Sequence, residues 1–187
     1  VEEMPNNEKE NVLLYVGNLA GNGITASMQA LLETIDLKER NYYITFVAEY
    51  VQPYYKILFS LPEGVSFYPT TGDLNLTIFN RIIRKLFKQK IISASLYAKL
   101  LKKRIRQDYE RNFGCAKFDS IIQFNGYDQE IILRFSVAPC QKAIFAHSDM
   151  LAEIKTRKNQ RRDVLRYAYR TYDKVAVVTN GILPSIQ

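Results

Sequence analysis

Residues 11–32 read NVLLYVGNLAGNGITASMQALL. Val12 to Val16 is an unbroken apolar run with the length of a buried strand. A glycine-rich turn follows at Gly17, Gly21 and Gly23, and then Ile24, Met28, Leu31, Leu32 and Ile35 recur at helical spacing. Strand, glycine turn and helix in that order open an α/β unit. Glycine permits positive φ and lets backbone approach a ligand closely. The helix start behind it offers N–H groups and the positive end of a dipole to an anion.

Working outward, the same alternation continues. Strands are expected at 42–48, 64–68, 118–124, 142–146 and 174–179, each rich in β-branched or aromatic residues or closed by a turn. Helices are expected at 24–35, 53–60 and 129–137. Two more basic helices fall between Leu74 and Arg111, the second from about Ser93, and a long one spans 151–172. The pattern predicts an α/β fold, a Rossmann-like open parallel sheet with helices on both faces. Such sheets bind ligands beyond the carboxyl ends of their strands. The segments Gly17 to Gly23, Asn125-Gly126-Tyr127 and His147-Ser148-Asp149 are therefore expected to meet in one crevice.

The chain has 187 residues, 47% hydrophobic and 24% charged, which suits one globular core. No run approaches the ~18 apolar residues of a membrane-spanning helix. Residues 1–10 are acidic and polar, without the character of a secretory signal, and are expected to be a short disordered lead-in. Cys115 and Cys140 make no disulfide framework and have no metal-ligand spacing, so no metal is expected and a reducing cytoplasm fits. The chain begins without Met and stops soon after the last expected strand. Residues 11–187 are accordingly expected to form one domain cut from a longer protein.

The net charge of +7 concentrates at 81–111 and 155–174, which calls for anionic partners. Phe79, Ile82, Ile83, Leu86 and Phe87 share a helix face, with Arg81, Arg84, Lys85 and Lys88 beside them. That face either packs on the protein's own core or lies on an anionic membrane surface, the inner face of the membrane for a cytoplasmic protein. Nucleic acid is disfavoured, because no strand carries an aromatic recognition platform and no helix-turn-helix signature is present.

The spacing Gly17-x3-Gly21-x-Gly23 fits neither the dinucleotide fingerprint nor the Walker pattern. His147, the one histidine, stands at a strand end, where an imidazole can act as general base or bond a phosphate oxygen. Asp149 is placed to orient it or to cap the next helix. Asn125 and Tyr127 can hydrogen-bond sugar hydroxyls around Gly126. Each segment also has a plain structural reading, as a tight turn or a satisfied core histidine.

Three segments together resemble the N-terminal half of a GT-B glycosyltransferase, in the group related to CDP-glycerol glycerophosphotransferases and teichoic-acid-type polymer transferases. They are GNLAGNGITASM from Gly17, FDSIIQFNGY from Phe118 and IFAHSDM from Ile144. The resemblance implies a transferase for cell-surface polysaccharide synthesis, with no resident cofactor. Its nucleotide-sugar or CDP-glycerol donor would sit mainly on a C-terminal domain of the same protein. Gly17, Gly21, Asn22, Gly23 and Thr25 would face the donor phosphates and acceptor, and His147 with Asp149 would stand at the reacting centre. Asn125, Gly126 and Tyr127 would line the side holding a polymer or lipid-linked acceptor. A non-catalytic basic module that binds anionic lipid or nucleic acid is the alternative.

Overall fold

Val12, Leu14 and Val16 turn to one side of the sheet, Leu13 and Tyr15 to the other, and all five are buried. A strand apolar on both faces must lie at the middle of a covered sheet. In this computed structural model, residues 9–17, 19, 22–35, 37–47, 61–68, 70, 76–114, 117–157 and 160–186 are described. Among them, β1 (Glu10–Tyr15), β2 (Arg40–Thr45), β3 (Val65–Phe67), β4 (Ser120–Gln123), β5 (Gln141–Ala146) and β6 (Lys174–Val177) form one parallel sheet. The spatial order is β3-β2-β1-β4-β5-β6. The expected Rossmann-like α/β architecture is therefore present, and the order reverses between β1 and β4.

Six α-helices are described: α1 (Gly23–Thr34), α2 (Ile78–Lys88), α3 (Ala94–Phe113), α4 (Gln129–Phe135), α5 (Met150–Arg157) and α6 (Arg162–Thr171). A 3-10 segment (Asn180–Ser185) follows β6. Met28 and Leu32 of α1 close one core with Val12, Leu14 and Ile44. On the opposite face, Leu101 and Ile105 of α3, Ile131 and Phe135 of α4, and Val164 and Ala168 of α6 close the other with Leu13, Ile121 and Ile144. Burying each such side chain stabilises the fold by about 1.5–3 kcal/mol.

Short polar side chains start most of these helices where the backbone needs acceptors. Thr77 accepts from the Asn80 N–H, Ser93 from Leu96 and Asp128 from Ile131. At the far end of α2 the Ile91 and Lys90 N–H groups return to the Leu86 and Phe87 carbonyls, with Lys90 at φ 62°. That is a Schellman ending with lysine where glycine is usual.

Two expectations differ from what is observed, and one lies outside the described residues. The 151–172 helix is two helices, because Gln160 turns inward to donate to the Tyr127 carbonyl (2.9 Å) and Arg161 turns toward the α2–α3 turn. One continuous helix would aim neither side chain there. The apolar positions of α2 do not share a fate either: Ile83 and Phe87 are buried, while Phe79 and Ile82 are exposed. The helix expected at 53–60 falls on residues that are not described.

Candidate functional site: the carboxyl ends of β1, β4 and β5

β1, β4 and β5 are neighbours, so their carboxyl ends adjoin at the point where the strand order reverses. Open α/β sheets bind ligands there, because the loops diverge and leave a crevice. Gly17 has φ 83°, and a Cβ at that position would overlap the Asn125 side-chain amide. Gly126 has φ 70°, and a Cβ there would overlap the Phe145 carbonyl oxygen. These two glycines let three strand ends, distant in sequence, touch. The Asn125 N–H donates to the Tyr15 carbonyl (3.0 Å), and its side-chain oxygen accepts from the Tyr127 N–H (2.9 Å).

His147 is half-buried beside this contact, with Nε2 2.5 Å from the Phe124 carbonyl oxygen. A carbonyl can only accept, so Nε2 carries the hydrogen, and in the neutral ring Nδ1 is the nitrogen with the lone pair. Among the described residues Nδ1 has no hydrogen-bond partner. The ring stacks on Phe145 (5.7 Å between centroids, 22°) and meets Phe124 edge-on (5.0 Å). Backbone and two aromatic rings thus fix both tautomer and orientation. Asp149 does not perform that task. Its Oδ1 accepts from the Leu151 and Ala152 N–H groups (2.9 and 3.1 Å) and caps α5. Tyr127 sets its hydroxyl 2.7 Å from Ser148 Oγ, which joins the β4 and β5 loops.

The glycine loop is only partly as expected. Asn22 caps α1, accepting from the Ile24 and Thr25 N–H groups (3.0 and 3.1 Å), so the helix start has fewer free donors than its sequence suggests. Thr25 is buried, its hydroxyl 3.5 Å from the Asn22 oxygen. Gly23 is exposed, and a Cβ there would meet open space. Gly21 lies outside the described residues.

The four cations expected on an anionic surface divide in two. Arg84 grips Glu130 with two bonds (Nε–Oε1 3.0 Å, Nη2–Oε2 2.5 Å), and Lys88 lies 3.4 Å from the same carboxylate. Arg81 and Lys85 are exposed and have no ion-pair partner among the described residues.

Several residues of this region carried no clear signal in the sequence. Tyr15 donates to Asp128 (2.8 Å), so the end of β1 is tied to the cap of α4. Thr45 and Gln123 flank Tyr15 in register on β2 and β4. Both are fully buried, and Thr45 Oγ1 and both polar atoms of Gln123 are unpaired. A tyrosine ending an apolar strand and an aspartate opening a helix are the signals that mark the first pair. Nothing local marks Gln123, because its burial depends on the strands beside it.

Among the described residues no group of three His, Cys, Asp or Glu side chains could hold a metal ion. No described helix is long and apolar enough to cross a membrane. No protein-family model matches the chain and no curated protein sequence matches it, so what this crevice does must follow from its own residues.

Proposed function

We propose that this chain is the acceptor-side domain of a GT-B-type transferase. It would move a sugar, or glycerol phosphate, from a nucleotide-activated donor to a polymer or lipid-linked acceptor. The observation that carries this reading is His147, locked through Nε2–H on the Phe124 carbonyl with Nδ1 unpaired, beside the contact of Gly17 with Asn125. An imidazole held this way is suited to take a proton from an acceptor hydroxyl.

In the step proposed, the hydroxyl oxygen attacks the anomeric carbon of a sugar donor while Nδ1 takes its proton. The bond to the nucleoside diphosphate breaks, and that group leaves with the electron pair. With CDP-glycerol the same oxygen attacks the glycerol-bearing phosphorus and CMP leaves. Asn125 and Tyr127, with Ser148 bonded to the tyrosine hydroxyl, supply polar groups for a polyhydroxyl acceptor. Gly23, free of any steric reason to be glycine, keeps the α1 start open to a bulky anionic donor.

The test is transfer of labelled sugar or glycerol phosphate by the whole enzyme that carries this chain. His147→Ala should lower kcat by about 10²–10⁴ and leave donor KM little changed. Turnover within a few fold of the parent, from a variant with an unaltered circular dichroism spectrum, would remove His147 from the reaction.

A further inference from the structure

We infer that α2, with the turn after it and the outer side of α3, is a docking surface for an anionic lipid bilayer. Six of the nine large apolar side chains exposed among the described residues lie between residues 78 and 100. Ile78, Phe79 and Ile82 are 80%, 69% and 54% exposed, whereas Ile83 and Phe87 of the same helix are buried. The helix already seats its core face through Ile83 and Phe87, and the outer apolar side chains are left largely to solvent. Ile91 in the turn and Leu96 and Leu100 on α3 extend the exposed set. Single exposed apolar residues are ordinary, but a concentration of them on adjoining elements marks a site of contact.

Charge chooses the occupant. Between residues 74 and 107 there are ten Lys and Arg and no Asp or Glu. Glu130 engages Arg84 and Lys88, so part of their charge is already met within the chain, although Lys88 stays 60% exposed. Arg81, Lys85, Lys90, Lys99 and Lys103 are exposed without an ion-pair partner among the described residues. Phenylalanine and isoleucine beside lysine and arginine match acyl chains beneath anionic headgroups. A second copy of the chain would set like charges against each other. Nucleic acid would satisfy the cations and leave Ile78 and Ile82 unused.

The Arg84–Glu130 pair ties α2 to the first turn of α4, next to the Tyr127–Asp128 side of the crevice. Docking would therefore hold the crevice close to the bilayer. That consequence rests on the transfer reading, whereas the docking itself shares none of its residues.

The experiment is flotation of the 187-residue chain with phosphatidylcholine vesicles, with and without phosphatidylglycerol. Binding is expected only with phosphatidylglycerol and should weaken as salt rises. Phe79→Ser with Ile82→Ser should lower vesicle affinity about tenfold or more. Arg81→Gln with Lys85→Gln should lower it about 25-fold, at about fivefold for each cation lost. Both pairs are at the surface, so circular dichroism should be unchanged. Equal binding to neutral vesicles would overturn the inference, as would phosphatidylglycerol binding untouched by the apolar pair. So would self-association through these residues, or single-stranded nucleic acid bound by a chain that ignores vesicles. A chain that floats yet belongs to an enzyme without transferase activity leaves docking standing and removes the transfer proposal. An active enzyme that never floats does the reverse.

Discussion

Gly23 and Gly126 are glycines for opposite reasons. Gly126 is held at φ 70° with the Phe145 carbonyl where a Cβ would go, so the fold itself requires it. Gly126→Ala should cost about 1–3 kcal/mol or more in urea unfolding, with loss of the β4–β5 loop contact. Gly23 opens α1 with open space around it, so its fold would accept a methyl group. Gly23→Ala should leave stability unchanged or raise it by up to about 1 kcal/mol, since alanine is the better helix former. Under the proposed function the same change should raise the KM of donor or acceptor. Steady-state kinetics beside urea unfolding separates the two effects, and loss of stability without change in KM would show Gly23 to be structural. His147 belongs at this scale as well, because one backbone carbonyl decides which ring nitrogen is available.

Among the elements, the join between α2, α3 and α6 is the most revealing. Arg161 lies with its guanidinium 4.1 Å from the Phe87 ring centre and donates to the Phe87 and Ile92 carbonyls, the latter at 2.8 Å. It also pairs with Asp163 (2.7 Å), which accepts from the Ala94 N–H that opens α3 (2.6 Å). Burial pushes the Asp163 carboxyl up, but hydrogen bonds from Arg161 and Ala94 and the Arg161 charge outweigh it and hold it below the usual range. A depressed folded-state value stabilises the protein above the unfolded carboxyl value, about 3.9, and that stability is lost as pH falls through the folded value. Asp163→Asn should therefore lower Tm near neutrality and flatten its fall below about pH 4. Calorimetry at neutral pH and near pH 3 checks this, and parallel curves for variant and parent would refute it. Apart from the Arg161–Asp163 pair, two residues apart, this network has no sequence signature, since its other partners lie more than 60 residues apart.

For the whole molecule, one buried charge pair ties the α3–α4 layer to the β3 end of the sheet. Arg134 and Asp108 are 1% and 3% exposed, with Nε and Oδ2 2.9 Å apart but not aligned as a hydrogen bond. Arg134 also donates to Thr70 Oγ1 (3.1 Å), which in turn lies 3.4 Å from the Asn112 side-chain oxygen. Burial pushes the Asp108 carboxyl up against the attraction of Arg134, Arg111 and Arg104. A raised folded-state value acts in the sense opposite to Asp163. Its contribution is greatest below the unfolded value and falls as pH rises through the folded one. The pair is worth little more than an apolar replacement, but breaking it is costly. Asp108→Ala should lower the unfolding free energy by about 3–5 kcal/mol, because Arg134 is left buried without its counter-ion. Asp108→Leu with Arg134→Met should recover most of that loss in the same urea titration.

The order of the strands and the class of fold were legible in the sequence, whereas the division of the 151–172 stretch into two helices was not. Apolar runs of strand length alternating with helix-period stretches leave a covered parallel sheet as the means of burying both faces of β1. The sequence also marked which strand ends carry polar and glycine residues, because those positions break the apolar pattern. Only the tertiary structure decided what those residues do. Whether Asp149 orients His147 or caps α5, whether Arg84 faces solvent or Glu130, and whether Phe79 or Phe87 is buried all depend on neighbours brought together from distant parts of the chain. Local spacing puts a residue on a face, while the packing of the whole molecule decides what that face meets.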